Sequence, residues 1–231
     1  MFQSTTVAEA AVKNGAMISS GGNETVDLIG LRTVEAEGPL AFIVRSKPGG
    51  YLRPHFHTCD QFQVFVGGSG KIGRHDFRIG SLHYADAYTP YGPIESPEGV
   101  SHAYETLRST WCKGLYRAPE DIAMAKGRRG RNLVGQTRAP EDRAPGLWEI
   151  FSEPDGVAAR EFVAGPGDAI PALSGSGYYV VLEGEVICQN HNYPVESCFW
   201  ATPGDRPDMA AGPQGAVLVM LTFAHDRIHA S

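Results

Sequence analysis

Three histidines of this chain have a spacing that can hold a metal ion. His55 and His57 are two residues apart, and on a β-strand this spacing points both imidazoles to the same face. His102 follows the tight-turn sequence Pro97-Glu-Gly99, after which a new strand should begin. Neutral imidazoles from neighbouring strands can share one divalent ion, and imidazole suits iron, zinc, nickel and copper. The spacing therefore predicts a metal site with three histidine ligands.

Four further residues are candidates for lining a substrate pocket at the site: Arg53, Gln63, Tyr91 and Tyr104.

Short apolar and β-branched runs separated by glycine-rich and proline-rich turns dominate the chain. The 231 residues include 28 glycines and 16 prolines, a content that suits many short strands joined by tight turns. This pattern predicts an all-β fold, a sandwich or barrel, with only a few short helices.

An internal repeat indicates two copies of one β-domain. Three positions recur at one constant offset: Gly49, His55 and Gly68 correspond to Gly165, Pro171 and Gly184. We expect an N-terminal barrel over residues 1–117, a linker over 118–145 and a C-terminal barrel over 146–231. In the second copy the ligand positions hold Pro171, Leu173, Gly177 and Pro207, so we expect a metal in the first barrel only.

The first copy resembles the cupin superfamily. The first cupin motif runs Gly, five residues, His-x-His, three or four residues, Glu, six residues, Gly. The chain matches it at four positions and has Gln61 in place of the Glu; the matches are Gly49, His55, His57 and Gly68. The second motif runs Pro-x-Gly, two residues, His, three residues, Asn. It is matched at Pro97, Gly99 and His102, with Thr106 in place of the Asn.

The resemblance implies Gln61 as a fourth ligand, since its side-chain amide oxygen can coordinate a metal ion but brings no negative charge. Alternatively, Gln61 forms a hydrogen bond to a histidine or to a bound water and does not touch the ion. The sequence leaves both roles open.

This resemblance implies a bicupin, with two jelly-roll (double-stranded β-helix) barrels in tandem, and one divalent metal ion. Fe²⁺ is the expected ion, with Mn²⁺, Ni²⁺ and Zn²⁺ as alternatives. The resemblance favours a metal-dependent oxygenase of the dioxygenase type that acts on an enolisable, phenolic or keto substrate. The alternatives are a cupin isomerase, lyase or hydrolase, or a non-catalytic cupin that binds a sugar or a small carboxylate.

Composition excludes several other classes of function. The formal net charge of −6 argues against a nucleic-acid-binding protein, which normally carries a basic face. No stretch approaches the roughly 20 apolar residues of a membrane helix, and no signal peptide is visible. The four cysteines form no CxxC motif, so we expect reduced thiols in a cytoplasmic protein. The expected partner is a small-molecule substrate, and a homodimer is a further possibility.

Overall fold

A computed structural model describes residues 1–19, 22–33, 38–110, 112, 121–126, 130–205 and 207–224 of the chain. The strands are, in chain order, β1 Gln3–Thr5, β2 Ala16–Ile18, β3 Glu24–Ile29, β4 Leu40–Ser46, β5 Tyr51–Leu52, β6 Gln61–Ile72, β7 His75–Arg78, β8 Ser81–Ala85, β9 Ile94–Glu95, β10 His102–Arg108, β11 Asn132–Gln136, β12 Gly146–Ser152, β13 Ala158–Ala164, β14 Gly177–Cys188, β15 His191–Pro194, β16 Cys198–Ala201 and β17 Met209–Thr222. The helices are α1 Val7–Asn14, α2 Ile122–Ala125 and a 3₁₀ turn, Pro140–Asp142. The all-β expectation with few short helices is confirmed.

The chain divides into two compact units. The N-terminal unit is Ala11–Val134, and the C-terminal unit consists of Met1–Ala10 and Gly135–Ser231. The first ten residues belong to the C-terminal unit because β1 pairs antiparallel with β16. The predicted linker, residues 118–145, includes 118–120 and 127–129, which lie outside the described residues, and it also contains strand β11. The position of the domain boundaries stays a prediction.

The N-terminal unit is built around the long strand β6. Its first half pairs with β10 on one side and β8 on the other, and β10 pairs in turn with β4. Its second half pairs with β7 and β9, and β9 also pairs with β5. One strand thus contributes to both walls of an antiparallel barrel, which is how this unit encloses an interior.

Gly68 lies where β6 passes from one wall to the other. Its φ is +65°, in the left-handed region that favours glycine, and a Cβ atom there would lie 2.0 Å from the carbonyl oxygen of Ser101. Gly184 of β14 has a φ of +69°, and its Cβ would lie 2.1 Å from the carbonyl oxygen of Gly215. The two glycines paired by the sequence repeat therefore meet the same backbone constraint, each beside the neighbouring strand.

The Gly68→Ala variant is expected to lose about 3 kcal/mol or more of unfolding free energy, because the methyl group displaces backbone as well as straining φ. Gly99→Ala is the matched control. Gly99 has a φ of +78° but nothing within 4 Å of its Cβ position, so that variant should lose only about 1–2 kcal/mol. Urea unfolding of both variants measures the difference. Equal losses would show that the close approach to Ser101 costs nothing.

The C-terminal unit has the sheet order β1-β16-β14-β17-β13-β12, and β15 pairs with β14. Strands β14 and β15 lie at the same offset from β6 and β7 as the repeated glycines do. Its interior is filled with apolar and aromatic side chains, among them Tyr179, Tyr193, Phe199 and Met220. The hydroxyl group of Tyr179 donates to the carbonyl of Pro171, at the position that corresponds to His55. This interior is a packed core.

A buried carboxylate ties the 138–143 segment to the C-terminal unit. Glu161 of β13 has no exposed side-chain surface, and it accepts hydrogen bonds from Arg138 Nε at 2.7 Å and Arg143 Nε at 2.9 Å. Arg143 also pairs with Glu183. A carboxylate with two guanidinium partners is compensated in the low-dielectric interior, whereas any member left alone is not.

Within the described part of the chain, no helix is long and apolar enough to cross a membrane.

Candidate functional site

A cavity of about 320 Å³ lies inside the N-terminal unit. Its walls come from alternate residues of β4 and β10, which share one face of the sheet because successive side chains of a strand point to opposite faces. The register pairs Tyr104 with Val44 and Thr106 with Phe42, and all four side chains line the cavity. The other lining residues are Ser19, Asn23, Thr25, Arg32, Leu40, Leu52, His55, His57, Gln63, Tyr91, Arg108 and Cys112.

His55 and His57 both line this cavity, as their spacing predicts, while Phe56 between them is fully buried in the opposite direction. Their ring centroids are 5.3 Å apart. Nδ1 of His55 lies 2.8 Å from the carbonyl oxygen of Arg53, which can only accept, so Nδ1 carries the proton. This leaves Nε2 of His55 with its lone pair, the form in which imidazole coordinates a metal.

Arg108 is the site residue that sequence analysis missed. Its guanidinium is buried in the cavity, and Nη2 lies 3.2 Å from both ring nitrogens of His57. Arg108 shares the strand face of Tyr104 and Thr106, which was the signal available in the sequence. Arg53, expected to line the pocket, instead has an exposed side chain, does not line the cavity and contributes its backbone carbonyl to His55.

Gln61 and Gln63 are both buried on β6, and Gln63 lines the cavity as expected. The amide nitrogen of Gln61 donates to the hydroxyl group of Tyr91, which lines the cavity. The amide oxygen of Gln61 is buried and has no hydrogen-bond partner among the described residues. A buried carbonyl-type oxygen without a partner is costly, although Gln61 itself is not among the residues that line the cavity.

His102 lies apart from these residues. In β10 it pairs with Gly68, whereas Arg108 at the other end pairs with Gln61. Six residues of strand separate the two rungs, about 20 Å at roughly 3.3 Å per residue, and ligand atoms of one ion lie only a few ångströms apart. One ion therefore cannot contact both Gln61 and His102. Among the residues that the structure describes, no three His, Cys, Asp or Glu side chains form a metal-binding cluster.

His102 instead packs against two aromatic rings. Its ring centroid is 5.5 Å from that of Phe65 and 5.3 Å from that of Tyr104. Neither ring nitrogen has a hydrogen-bond partner in the described part of the chain. Burial lowers the pKa of His102 to about 4, so the ring is neutral at physiological pH.

The phenols of the cavity keep their protons at neutral pH. Burial raises the pKa of Tyr91 to about 12, although the hydrogen bond from Gln61 and the charge of Arg108 act in the opposite direction. Burial also raises the pKa of Tyr104, and Arg108 again opposes the rise. Both hydroxyl groups are therefore hydrogen-bond donors rather than bases.

His83 lies next to the cavity wall, and its buried ring is neutral at physiological pH. Its Nδ1 is 2.9 Å from the side-chain oxygen of Gln63, and its Nε2 is 3.1 Å from that of Asn132. Burial lowers its pKa to about 4, while the contact with Asn132 opposes this effect.

The low pKa of His83 predicts an acid-sensitive fold. As the pH falls below 6.5 the unfolded chain binds a proton at His83, whereas the folded chain binds it only near pH 4. The folded state should therefore lose up to about 3 kcal/mol from this residue between pH 6.5 and 4. His83→Gln should flatten the pH dependence of the urea midpoint over this range, and the exposed-site control His75→Gln should not. Parallel curves for wild type and His83→Gln would contradict the prediction.

The expectation of four reduced thiols is wrong for one pair. Cys59 and Cys112 form a disulfide, whereas Cys188 and Cys198 are free and buried. Cys59 lies in the turn between His57 and Gln61, and Cys112 lines the cavity. The sequence could not show this because the cysteines are 53 residues apart. Because one cysteine pair is oxidised, the cysteines no longer support the expectation of a cytoplasmic location.

The sequence and the structure of the chain were compared with those of known proteins. No family model matches the chain. The dimethylsulfoniopropionate lyase DddW of Ruegeria pomeroyi is 36% identical over 61 residues, which cover 25% of this chain and 40% of that protein. The chain thus matches less than half the length of this curated relative.

Solved structures match over nearly the whole chain. The bacterial pirin YhhW of Escherichia coli, in complex with nickel(II), has a TM-score of 0.63 at 9% identity and covers 96% of this chain and 99% of its own. A candidate dioxygenase of Nostoc punctiforme has a TM-score of 0.63 at 10% identity, covering 100% and 84%. The oxalate decarboxylase of Lactobacillus farciminis, in a formate complex, has a TM-score of 0.62 at 12% identity, covering 94% and 85%.

The chain has the cupin jelly-roll fold. At these identities the likeness concerns the fold alone, and it agrees with the expectation drawn from the motif around His55 and His57. Within this fold, the N-terminal unit has a cavity lined by both polar and apolar side chains, and the C-terminal unit has a packed interior.

Proposed function

We propose that the chain is a bicupin enzyme whose N-terminal unit holds one divalent metal ion and converts a small organic molecule. The observation that supports this proposal is the presence of His55 and His57 in one cavity. The amide nitrogen of Gln61 donates to Tyr91, which lines the cavity, and the amide oxygen of Gln61 is buried without a hydrogen-bond partner among the described residues. The C-terminal unit has proline, leucine and glycine at the corresponding positions and is proposed to carry no metal.

His55, His57 and Gln61 supply nitrogen and oxygen donors of the types that suit a divalent ion. Coordination by His57 requires Arg108 Nη2, which lies 3.2 Å from both of its ring nitrogens, to move away. In His55 the hydrogen bond to Arg53 is made by Nδ1, so Nε2 is the nitrogen that would coordinate the ion. The rings of His55 and His57 are neighbours, with centroids 5.3 Å apart. The amide oxygen of Gln61 accepts no hydrogen bond from the described residues. Nitrogen and amide-oxygen donors of this kind suit Fe²⁺, which we propose, and also Mn²⁺, Ni²⁺ and Zn²⁺. We therefore propose His55, His57 and Gln61 as ligands, without His102.

When bound, such an ion supplies a Lewis acid for an enolate or keto oxygen. The protein groups act around it. Tyr91 and Tyr104 hold their protons at neutral pH and donate hydrogen bonds to an oxygen that gains negative charge. The guanidinium of Arg108 stabilises the same charge, and the apolar walls at Leu40 and Phe42 limit the water that competes for it.

The proposed reaction is oxygenation of an enolisable, phenolic or keto substrate. Support comes from the histidine ligands, which suit iron, and from the structural likeness to a candidate dioxygenase. The second candidate is an oxygen-independent lyase or decarboxylase reaction. It is favoured by the buried guanidinium and phenols, which stabilise an anion without oxygen chemistry, and by the sequence match to a lyase.

Oxygen consumption distinguishes the two reactions. Protein loaded separately with Fe²⁺, Mn²⁺ or Ni²⁺ is mixed with 1,3-dicarbonyl, catechol and α-keto acid substrates in an oxygen electrode, and parallel anaerobic samples are analysed for products. Turnover that requires oxygen supports the oxygenase, whereas anaerobic turnover supports the lyase. Tyr91→Phe should lower kcat and the exposed-site control Tyr51→Phe should not. No turnover in any sample would contradict an enzymatic role for these substrate classes.

A further inference from the structure

The charged side chains that line the cavity are of one sign. They are Arg32 and Arg108, and no Asp or Glu is among the described residues of its walls. A positive wall in a low-dielectric interior favours an anionic ligand over a neutral one of the same shape. The cavity volume of about 320 Å³ is at the small end of ligand sites.

The two guanidinium groups lie over the same aromatic ring. The guanidinium carbon of Arg32 is 4.6 Å from the ring centroid of Phe42, and that of Arg108 is 5.1 Å from it. Both groups are therefore held beside one wall of the cavity rather than extended into solvent. Arg108 is 6% exposed, so its charge is buried with the site.

One donor of the Arg32 guanidinium is bonded to a carboxylate, and another has no partner among the described residues. Its Nε donates to the carboxylate of Asp27, which orients the guanidinium plane. Its Nη2 is buried and has no hydrogen-bond partner among the described residues. A buried N–H donor without a partner carries a desolvation cost, which an acceptor on a ligand would remove.

We infer that this cavity binds a small organic carboxylate, with the carboxylate group held by Arg108 and Arg32 beside Phe42. A guanidinium presents paired N–H donors that match the two oxygens of a carboxylate. The rest of the ligand then extends toward His55, His57 and the phenols of Tyr91 and Tyr104. This inference names the substrate class of the proposed enzyme and rests on that proposal only for calling the ligand a substrate.

Titration calorimetry of the metal-free full-length chain tests the inference without activity. The probes are pyruvate and succinate, with methyl pyruvate and dimethyl succinate as neutral controls and sulfate as a tetrahedral anion. Wild type should bind at least one of the two acids and neither ester. Arg108→Met and Arg32→Met should each weaken binding by about 10- to 100-fold, the value expected for a charge-assisted hydrogen bond. Arg78→Met, at an exposed arginine of β7, should not.

A conservative variant covers loss of folding. If Arg108→Met does not fold, Arg108→Lys keeps the charge without the paired donors and should bind the acids more weakly than wild type. Equal binding of acids and esters, equal or tighter binding of sulfate, no binding of either acid, or unchanged affinity in the arginine variants would each overturn the inference. Metal affinity measured on the wild-type chain separates the two proposals. If the wild type binds the carboxylate but no metal, the proposed metalloenzyme is contradicted and the carboxylate site remains.

Discussion

The Glu161→Gln variant is expected to lower the free energy of unfolding by about 3–5 kcal/mol, the cost of breaking a buried ion pair by removing one partner. Glu161 has no exposed side-chain surface and is bonded to the Nε atoms of both Arg138 and Arg143. Glutamine retains the size and one acceptor but removes the charge that both guanidinium groups face, and only Arg143 keeps a second carboxylate partner, Glu183, among the described residues. The unfolded chain has no such cost, because water solvates each charge separately.

Urea unfolding of Glu161→Gln beside Glu149→Gln measures this effect. Glu149 is a matched control on the neighbouring strand, with a side chain 59% exposed and a longer contact of 3.8 Å to Arg160. Exposed pairs contribute about 0–1 kcal/mol, so the control should scarcely change stability. Similar losses in the two variants would show that the Glu161 pairs do not stabilise the C-terminal unit.

Loss of either motif histidine is expected to reduce the metal content of the protein from stoichiometric to background. His55 and His57 line the same cavity, and removal of one proposed ligand leaves too few donors to displace water from the ion. The measurement is elemental analysis of untagged protein after dialysis, for wild type, His55→Ala and His57→Ala.

His102→Ala is the matched control for the metal prediction, because it removes a buried histidine from the same unit outside the cavity. It should retain metal, and Leu173→Ala in the C-terminal unit should retain it as well. Loss of metal in His102→Ala, with its melting temperature close to that of wild type, would restore the three-histidine site.

Gln61→Glu should tighten metal binding if Gln61 is a ligand, because it adds a negative charge. Unchanged metal affinity would leave Gln61 as a hydrogen-bonding residue.

Local sequence patterns determined the parts of the fold that depend on neighbours along the chain. The strand-rich composition predicted an antiparallel β fold, and the His55-x-His57 spacing placed two imidazoles on one side because side chains alternate along an extended chain. Gly68 and Gly184 marked equivalent positions in two long strands, since both have the positive φ that glycine tolerates. Gln63, Tyr91 and Tyr104 were placed in the pocket by the same alternation and the aromatic pattern.

The third histidine shows what local patterns leave open. The turn sequence Pro97-Glu-Gly99 predicted that a strand begins near His102, and β10 does begin there. Pairing in the structure brings Arg108 beside Gln61 and leaves His102 at the other end of β10, beside Gly68. Strand register is set by contacts between distant segments, so a periodicity of two along one strand cannot supply it.

Other features of the molecule depended on the tertiary structure for the same reason. The position of Arg108 against His57, the disulfide between Cys59 and Cys112 and the three-residue cluster at Glu161 each join segments far apart in sequence. Their residue types are ordinary, and an arginine on a strand is more often exposed. Only the folded chain decides which of them are buried together, and burial is what makes a charge require its partner.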